Sequence, residues 1–197
     1  MNTTTHWQAT LRGDVVALLI AAIACAHPWF EQTMARHMGL ELPALFILGG
    51  CAAAHAGERL SRALSTWNRH GVPGLLFALC ATSFWMVPAA LDSAVLQGGV
   101  GLAKVASMVA AGLLTRASWR AAGPILQAFF VLNWAWMTLA AGLLYQQAPQ
   151  QLCSVYLAEE QAQAGEALVL WAAAGLAAWL AHVAWTGMQA QDIADTV

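Results

Sequence analysis

Met34-Ala35-Arg36-His37-Met38-Gly39-Leu40-Glu41 opens an apolar run that continues to about residue 57. At about 100° per residue, Met34, His37, Met38 and Glu41 fall on one helical face. That face offers two thioethers, an imidazole and a carboxylate at the head of a stretch suited to lipid. Polar groups at such depth are costly, so they turn toward a cavity, a neighbouring helix or a metal ion. This combination of a membrane-grade run with a polar face sets the terms for the rest of the chain.

Outward from it, the 197-residue chain is 60% hydrophobic and 9% charged, whereas a soluble domain carries roughly 25% charged residues. Runs long enough to span, about 20 residues each, lie near 13–30, 38–57, 72–95, 99–116, 124–146 and 165–186. The expected fold is an all-α, polytopic membrane bundle of six helices forming one domain over 1–197. Short loops make sequence neighbours antiparallel. Arg12, Arg59, Arg62, Arg69, Arg116 and Arg120 gather on one side of such a bundle, against Arg36 and Lys104 on the other. The excess of positive charge marks the cytoplasmic side, so both termini are expected inside, in a bacterial inner membrane. The Ala24-Cys25-Ala26 triplet resembles a signal-peptide site. The charged n-region is weak, and a retained first helix ending at His27-Pro28-Trp29 is the preferred reading.

Net charge is −2, which gives a nucleic-acid partner no electrostatic support. Four cysteines, Cys25, Cys51, Cys80 and Cys153, form no CxxC pair and read as packing residues. Ten Trp suit interfacial belts in part. Pro43 and Pro88 stand inside the second and third runs, where each frees the carbonyl four residues earlier, at Gly39 and Phe84. Gln146–Gln163 is expected to cap the outer face, and Gln189–Val197 to end the chain as a short frayed tail.

On this topology the ionisable groups inside the runs concentrate at the outer half. Met34, His37, Met38 and Glu41, with Met86 on the third helix, suit a copper site. Thioethers and imidazole accept Cu(I), and a carboxylate suits Cu(II) or orients the ring. The alternative is packing for the methionines and interfacial capping for His37 and Glu41. Asp92 is expected to pair with Lys104 across the third loop, Glu41 and Glu160 being the other candidates. Glu159 and Glu160 suit a helix N-terminus, and Glu166 sits deeper in the last helix. His182 stands alone near the inner side, which argues against haem. No nucleotide motif or nucleophile elbow is present, and an enzyme is not expected.

Several segments together resemble the CtaG family, membrane proteins associated with assembly of bacterial cytochrome c oxidase. His37-Met38-Gly-Leu-Glu41 is similar to the family's His-Met-x-x-His segment. Trp85-Met86-Val-Pro88-Ala-Ala-Leu-Asp92 is similar to its Trp-His-x-Pro-x-x-aromatic-Asp segment. Glu160-Gln161-Ala-Gln-Ala164-Gly165 resembles its Asp-Gln-x-x-Ala-Gly segment, with Trp171 following. The helix holding Lys104 and Met108 occupies the place of one that carries a His pair. Of the family's His positions only His37 remains, with Glu41 and Met86 standing where His would be. The resemblance implies an accessory factor for a copper-containing respiratory oxidase, with an oxidase subunit as partner and copper held or handed over at the outer face. Two other readings compete. One is a metal-free scaffold in which Asp92, Lys104, Glu160 and Glu166 form a polar network that docks a partner. The other is a small transporter between the Pro-kinked helices.

Overall fold

The computed structural model describes the backbone of residues 3–55, 63 and 66–195, with side chains from Gly13 to Gln189 within that set. Arg59, Arg62 and the Arg12 side chain, all used in the charge argument, lie outside the described residues. Every regular element among the described residues is helical. In chain order these are α1 (Thr3–Cys25), α2 (His27–Phe30), α3 (Met34–Arg36), a π-helical turn (His37–Glu41), α4 (Leu42–Ala53), α5 (Val72–Phe84), α6 (Pro88–Leu96), α7 (Gly98–Gln147) and α8 (Ala158–Asp195).

Gly98–Gln147 and Ala158–Gln189 are long and apolar enough to cross a membrane, and the bent pair Val72–Phe84 plus Pro88–Leu96 makes a third such unit. Outward-facing side chains are correspondingly apolar: Ile125 is 83% exposed, and Leu102 and Leu170 are 70% exposed. An aqueous surface would not tolerate such continuous apolar cover, so the shape and composition are those of a helical membrane protein.

The 50-residue α7 is two helices in one. Gly123 adopts φ 65°, ψ 174°, a conformation only glycine takes without strain, and Pro124 restarts the helix in its favoured first-turn position. Lys104 reaches His37, and Tyr145 packs in the same cluster as Tyr156, which also touches His37. Residues about 30 Å up each arm from Gly123, at 1.5 Å per residue, therefore meet at one end, and the arms run antiparallel. The helical run on the N-terminal side extends to Ala122 rather than stopping near 116, so Arg116 and Arg120 project from a helix and not from a loop.

The third run is not a kinked rod. Val72–Phe84 ends at Trp85, and Pro88 opens a new helix bent by 80°. The carbonyl of Phe84 is taken by the N–H of Val87 at 3.0 Å in the turn. At Pro43 the freed carbonyl of Gly39 accepts the Trp171 indole N–H at 2.8 Å. One proline thus breaks a helix, while the other is absorbed by a distant side chain.

Small residues set the helix crossings. A methyl group on Gly49 would overlap the Val109 backbone, and one on Gly112 would overlap the Phe46 carbonyl, so α4 and the first arm of α7 touch backbone to backbone. Gly142 and Gly165 do the same for the second arm and α8. Such close approach is the usual source of helix association where lipid removes the hydrophobic drive. α7 packs on α4, α5 and α8 and is the centre of the bundle. Cys25, Cys51 and Cys80 face outward and only Cys153 is buried, which corrects their reading as packing residues. The C-terminal helix runs through Asp195, beyond the expected fraying point at Gln189.

Candidate functional site

The site begins with a local backbone irregularity. Thr33 caps α3 by accepting the Arg36 N–H at 3.3 Å. The backbone then widens into the π-turn, where the Leu42 N–H bonds the His37 carbonyl, five residues back. Single π-turns of this kind recur at functional positions because the extra residue re-aims side chains. Here His37, Met38 and Glu41 are all turned inward, with Met34 buried one turn earlier. The face expected from the spacing is therefore real, though its geometry is not that of a plain α-helix.

Lys104, on the first arm of α7 and 1% exposed, supplies the centre. Its Nζ donates to Glu31 Oε1 at 3.0 Å, Glu41 Oε2 at 2.9 Å and His37 Nε2 at 2.9 Å. An ammonium has three protons, and each has an acceptor. Because Nε2 accepts, the neutral imidazole keeps its proton on Nδ1, which donates to the Tyr156 oxygen at 2.7 Å. On the solvent side, His27 Nδ1 lies 2.9 Å from Glu31 Oε2, with its side chain 42% exposed. Arg36 stacks on Trp29 at 4.5 Å and donates to Gln32 at 3.2 Å, outside the cluster.

Charge does not cancel. Two carboxylates face one ammonium, and a buried excess charge is costly. Glu41 Oε1 is buried and has no hydrogen-bond partner among the described residues. A balancing positive charge reaches Glu31 through His27 when that ring is protonated.

Glu31, His37 and Glu41 offer ligand atoms within 4.8 Å of one another, a spacing that can hold a metal ion. What sits among them is the Lys104 ammonium, and both ring nitrogens of His37 are engaged. The residues as arranged therefore do not fit a bound metal while Lys104 stays charged and in place. Met34 and Met38 are fully buried beside the cluster and share one apolar core with Leu91, Tyr145 and Cys153, against which Met86 packs.

The expected Asp92–Lys104 pair does not form. Asp92 Oδ2 instead accepts the Ser154 N–H at 2.8 Å and its hydroxyl at 2.7 Å. The 80° break carries α6, and Asp92 with it, to the loop between α7 and α8. Glu160 is half-buried and Glu166 exposed, and neither joins the Lys104 cluster among the described residues. The useful residue of that segment is its neighbour Gln161, which accepts the Leu152 N–H at 2.8 Å and donates to the Tyr145 carbonyl at 3.1 Å. The loop is indeed a cap. Tyr156 is held against His37, and Cys153 is buried under it. Burial, then the charges of Glu31 and Glu41, push the Tyr156 hydroxyl above its ordinary range. Burial, then Asp92, push the Cys153 thiol up to about 11.

Glu31 and Tyr156 were not singled out by the sequence. The only signal for Glu31 was demand: a lysine inside an apolar run needs carboxylates, and Glu31 is among those on the right side. Nothing in its spacing marks Tyr156. Neither a protein-family model, nor a curated protein, nor a solved structure matches this chain.

Proposed function

We propose that the chain is a multi-pass inner-membrane accessory protein, of the kind that resembles the CtaG family, acting as a metal-free scaffold for a respiratory oxidase or a comparable membrane partner. Six spans with both termini inside remain the topology that the charge distribution favours. The observation that carries the scaffold reading is the Lys104 ammonium bonded to Glu31, His37 and Glu41. A tethered cation stands where a metal would, and the network ties α2, the π-turn, α7 and the cap into one rigid outer end. A rigid end of that kind presents a fixed surface to a partner subunit.

A second reading, copper holding or delivery at Met34, His37, Met38, Glu41 and Met86, is favoured by the 4.8 Å donor group and the buried thioethers beside it. It requires Lys104 to leave. The transporter reading requires a path that opens past Lys104 at the outer cluster.

Copper content of the detergent-purified protein under reducing conditions separates the two. The scaffold reading expects less than about 0.1 copper per chain in wild type and a co-purifying membrane partner that is lost in Lys104→Met. About one copper per chain, lost in His37→Ala and in Met34→Leu/Met38→Leu, would overturn it in favour of copper handling.

A further inference from the structure

Below the Lys104 cluster, α4, α5, both arms of α7 and α8 enclose an apolar cleft of about 500 Å³. A second cavity of about 210 Å³ adjoins it, the two sharing Phe46, Thr82, Trp134 and Gly175. Water has little to hold it there. Thr82 and Thr115 line the cleft but already donate to the Ala78 and Ala111 carbonyls at 2.8 Å. Thr138, in the smaller cavity, donates to the Trp134 carbonyl at 2.7 Å. Water placed in an apolar space needs two to four polar partners. An empty space of this size would forfeit much of the packing that stabilises a bundle. The cleft calls for an apolar occupant.

Its mouth has a different character. Arg116, Ala178 and His182 line it and are exposed. Arg120 follows Arg116 by one turn on the same face. No carboxylate lines the cleft, and Arg116 has no ion-pair partner among the described residues. Trp179, also in the lining, has a buried indole N–H without an acceptor among the described residues. An apolar cleft with an arginine and an imidazole at its exposed rim, and a spare N–H donor in its wall, complements a long hydrocarbon chain carrying an anionic head. Basic pockets between helices at the cytoplasmic interface bind phospholipid head groups on the same physics.

We propose that this cleft is a binding site for one anionic phospholipid, with an acyl chain between Phe46 and Trp134 and the phosphate at Arg116 and His182. It does not depend on whether the Lys104 end handles metal.

The test is thermal unfolding of the delipidated full chain in a neutral detergent, with phosphatidylglycerol, phosphatidylcholine or oleate added. Arg116→Gln removes the head-group contact at an exposed position. Ala178→Trp plugs the exposed mouth. Phosphatidylglycerol is expected to raise the wild-type Tm by about 5 °C at saturation, and phosphatidylcholine and oleate by less than half of that. Arg116→Gln should lose at least half of the shift. In Ala178→Trp, where the indole fills the mouth, the phosphatidylglycerol shift should likewise fall to at most half of the wild-type value. Equal shifts from phosphatidylglycerol and phosphatidylcholine, or an unchanged shift in Arg116→Gln, would overturn the proposal. So would an oleate shift equal to that of phosphatidylglycerol.

Discussion

Two buried polar clusters stand toward opposite ends of the described bundle, and they are solved differently. Near Gly123, Asn68 donates to Ser118 Oγ at 2.7 Å and accepts the Gly74 N–H at 3.0 Å, while Ser118 donates to the Leu114 carbonyl at 2.6 Å. Gly71, with φ 74°, turns the chain into α5 there, and neither Gly71 nor Gly74 has room for a side chain. That cluster is neutral, and its named donors meet acceptors. The Lys104 cluster sets two carboxyl groups against one ammonium and leaves Glu41 Oε1 without a partner among the described residues. Neutral groups in apolar surroundings can be satisfied locally, with helix carbonyls as acceptors. Charged groups need a counter-charge, and the second carboxylate is more than architecture demands. The first cluster is a clasp; the second is where a proton, an ion or a partner has leverage.

The contrast predicts unequal costs. Lys104→Met strands two buried carboxylates and should cost about 3–5 kcal/mol, read as a large drop in Tm in detergent. Adding Glu31→Gln and Glu41→Gln to that variant should restore much of it, because the uncompensated charges are gone. If the single variant is harmless, the cluster is not the ion-paired centre described. Asn68→Ala leaves the Gly74 N–H and the Ser118 hydroxyl short of a partner and should cost about 1–3 kcal/mol. Unlike Lys104→Met, it should be insensitive to the Glu→Gln pair. Trp171→Phe removes the donor to the Gly39 carbonyl together with part of the ring and should cost about 1–3 kcal/mol, measurable by the same scan.

Smaller in energy, but sharper in readout, is the cap. Cys153 should resist maleimide at neutral pH, since burial holds its thiol up to about 11 against an ordinary 9.0. A raised thiol pKa stabilises the fold fully below pH 9 and is lost as pH rises through the folded value, so the cap should loosen only in strong alkali. Asp92→Ala should free Ser154 and raise the modification rate of Cys153 at neutral pH by roughly tenfold, a change worth about 1.4 kcal/mol of local opening. Glu166→Gln, at an exposed position, should change neither stability nor labelling.

How far the residues alone could lead depended on the range of each interaction. The polar face of Met34, His37, Met38 and Glu41 was legible because helical spacing is a local property. The cap was legible from its composition, and the special character of Pro43, Pro88 and Lys104 from what each residue type cannot do in lipid. The pairing of Asp92 was misread because Pro88 was read as a kink within one continuing span, whereas α6 turns by 80° and delivers Asp92 to Ser154.

Composition and run length were enough to fix an all-helical, membrane-grade chain, since hydropathy adds up residue by residue and needs no partner. Tertiary packing was needed to join Lys104 to residues 73, 67 and 63 positions away, and His37 to Tyr156 at a separation of 119. A buried charge announces that it needs a counter-charge. Which one it meets is set by where the glycine-lined crossings and the hinge at Gly123 bring the helices together.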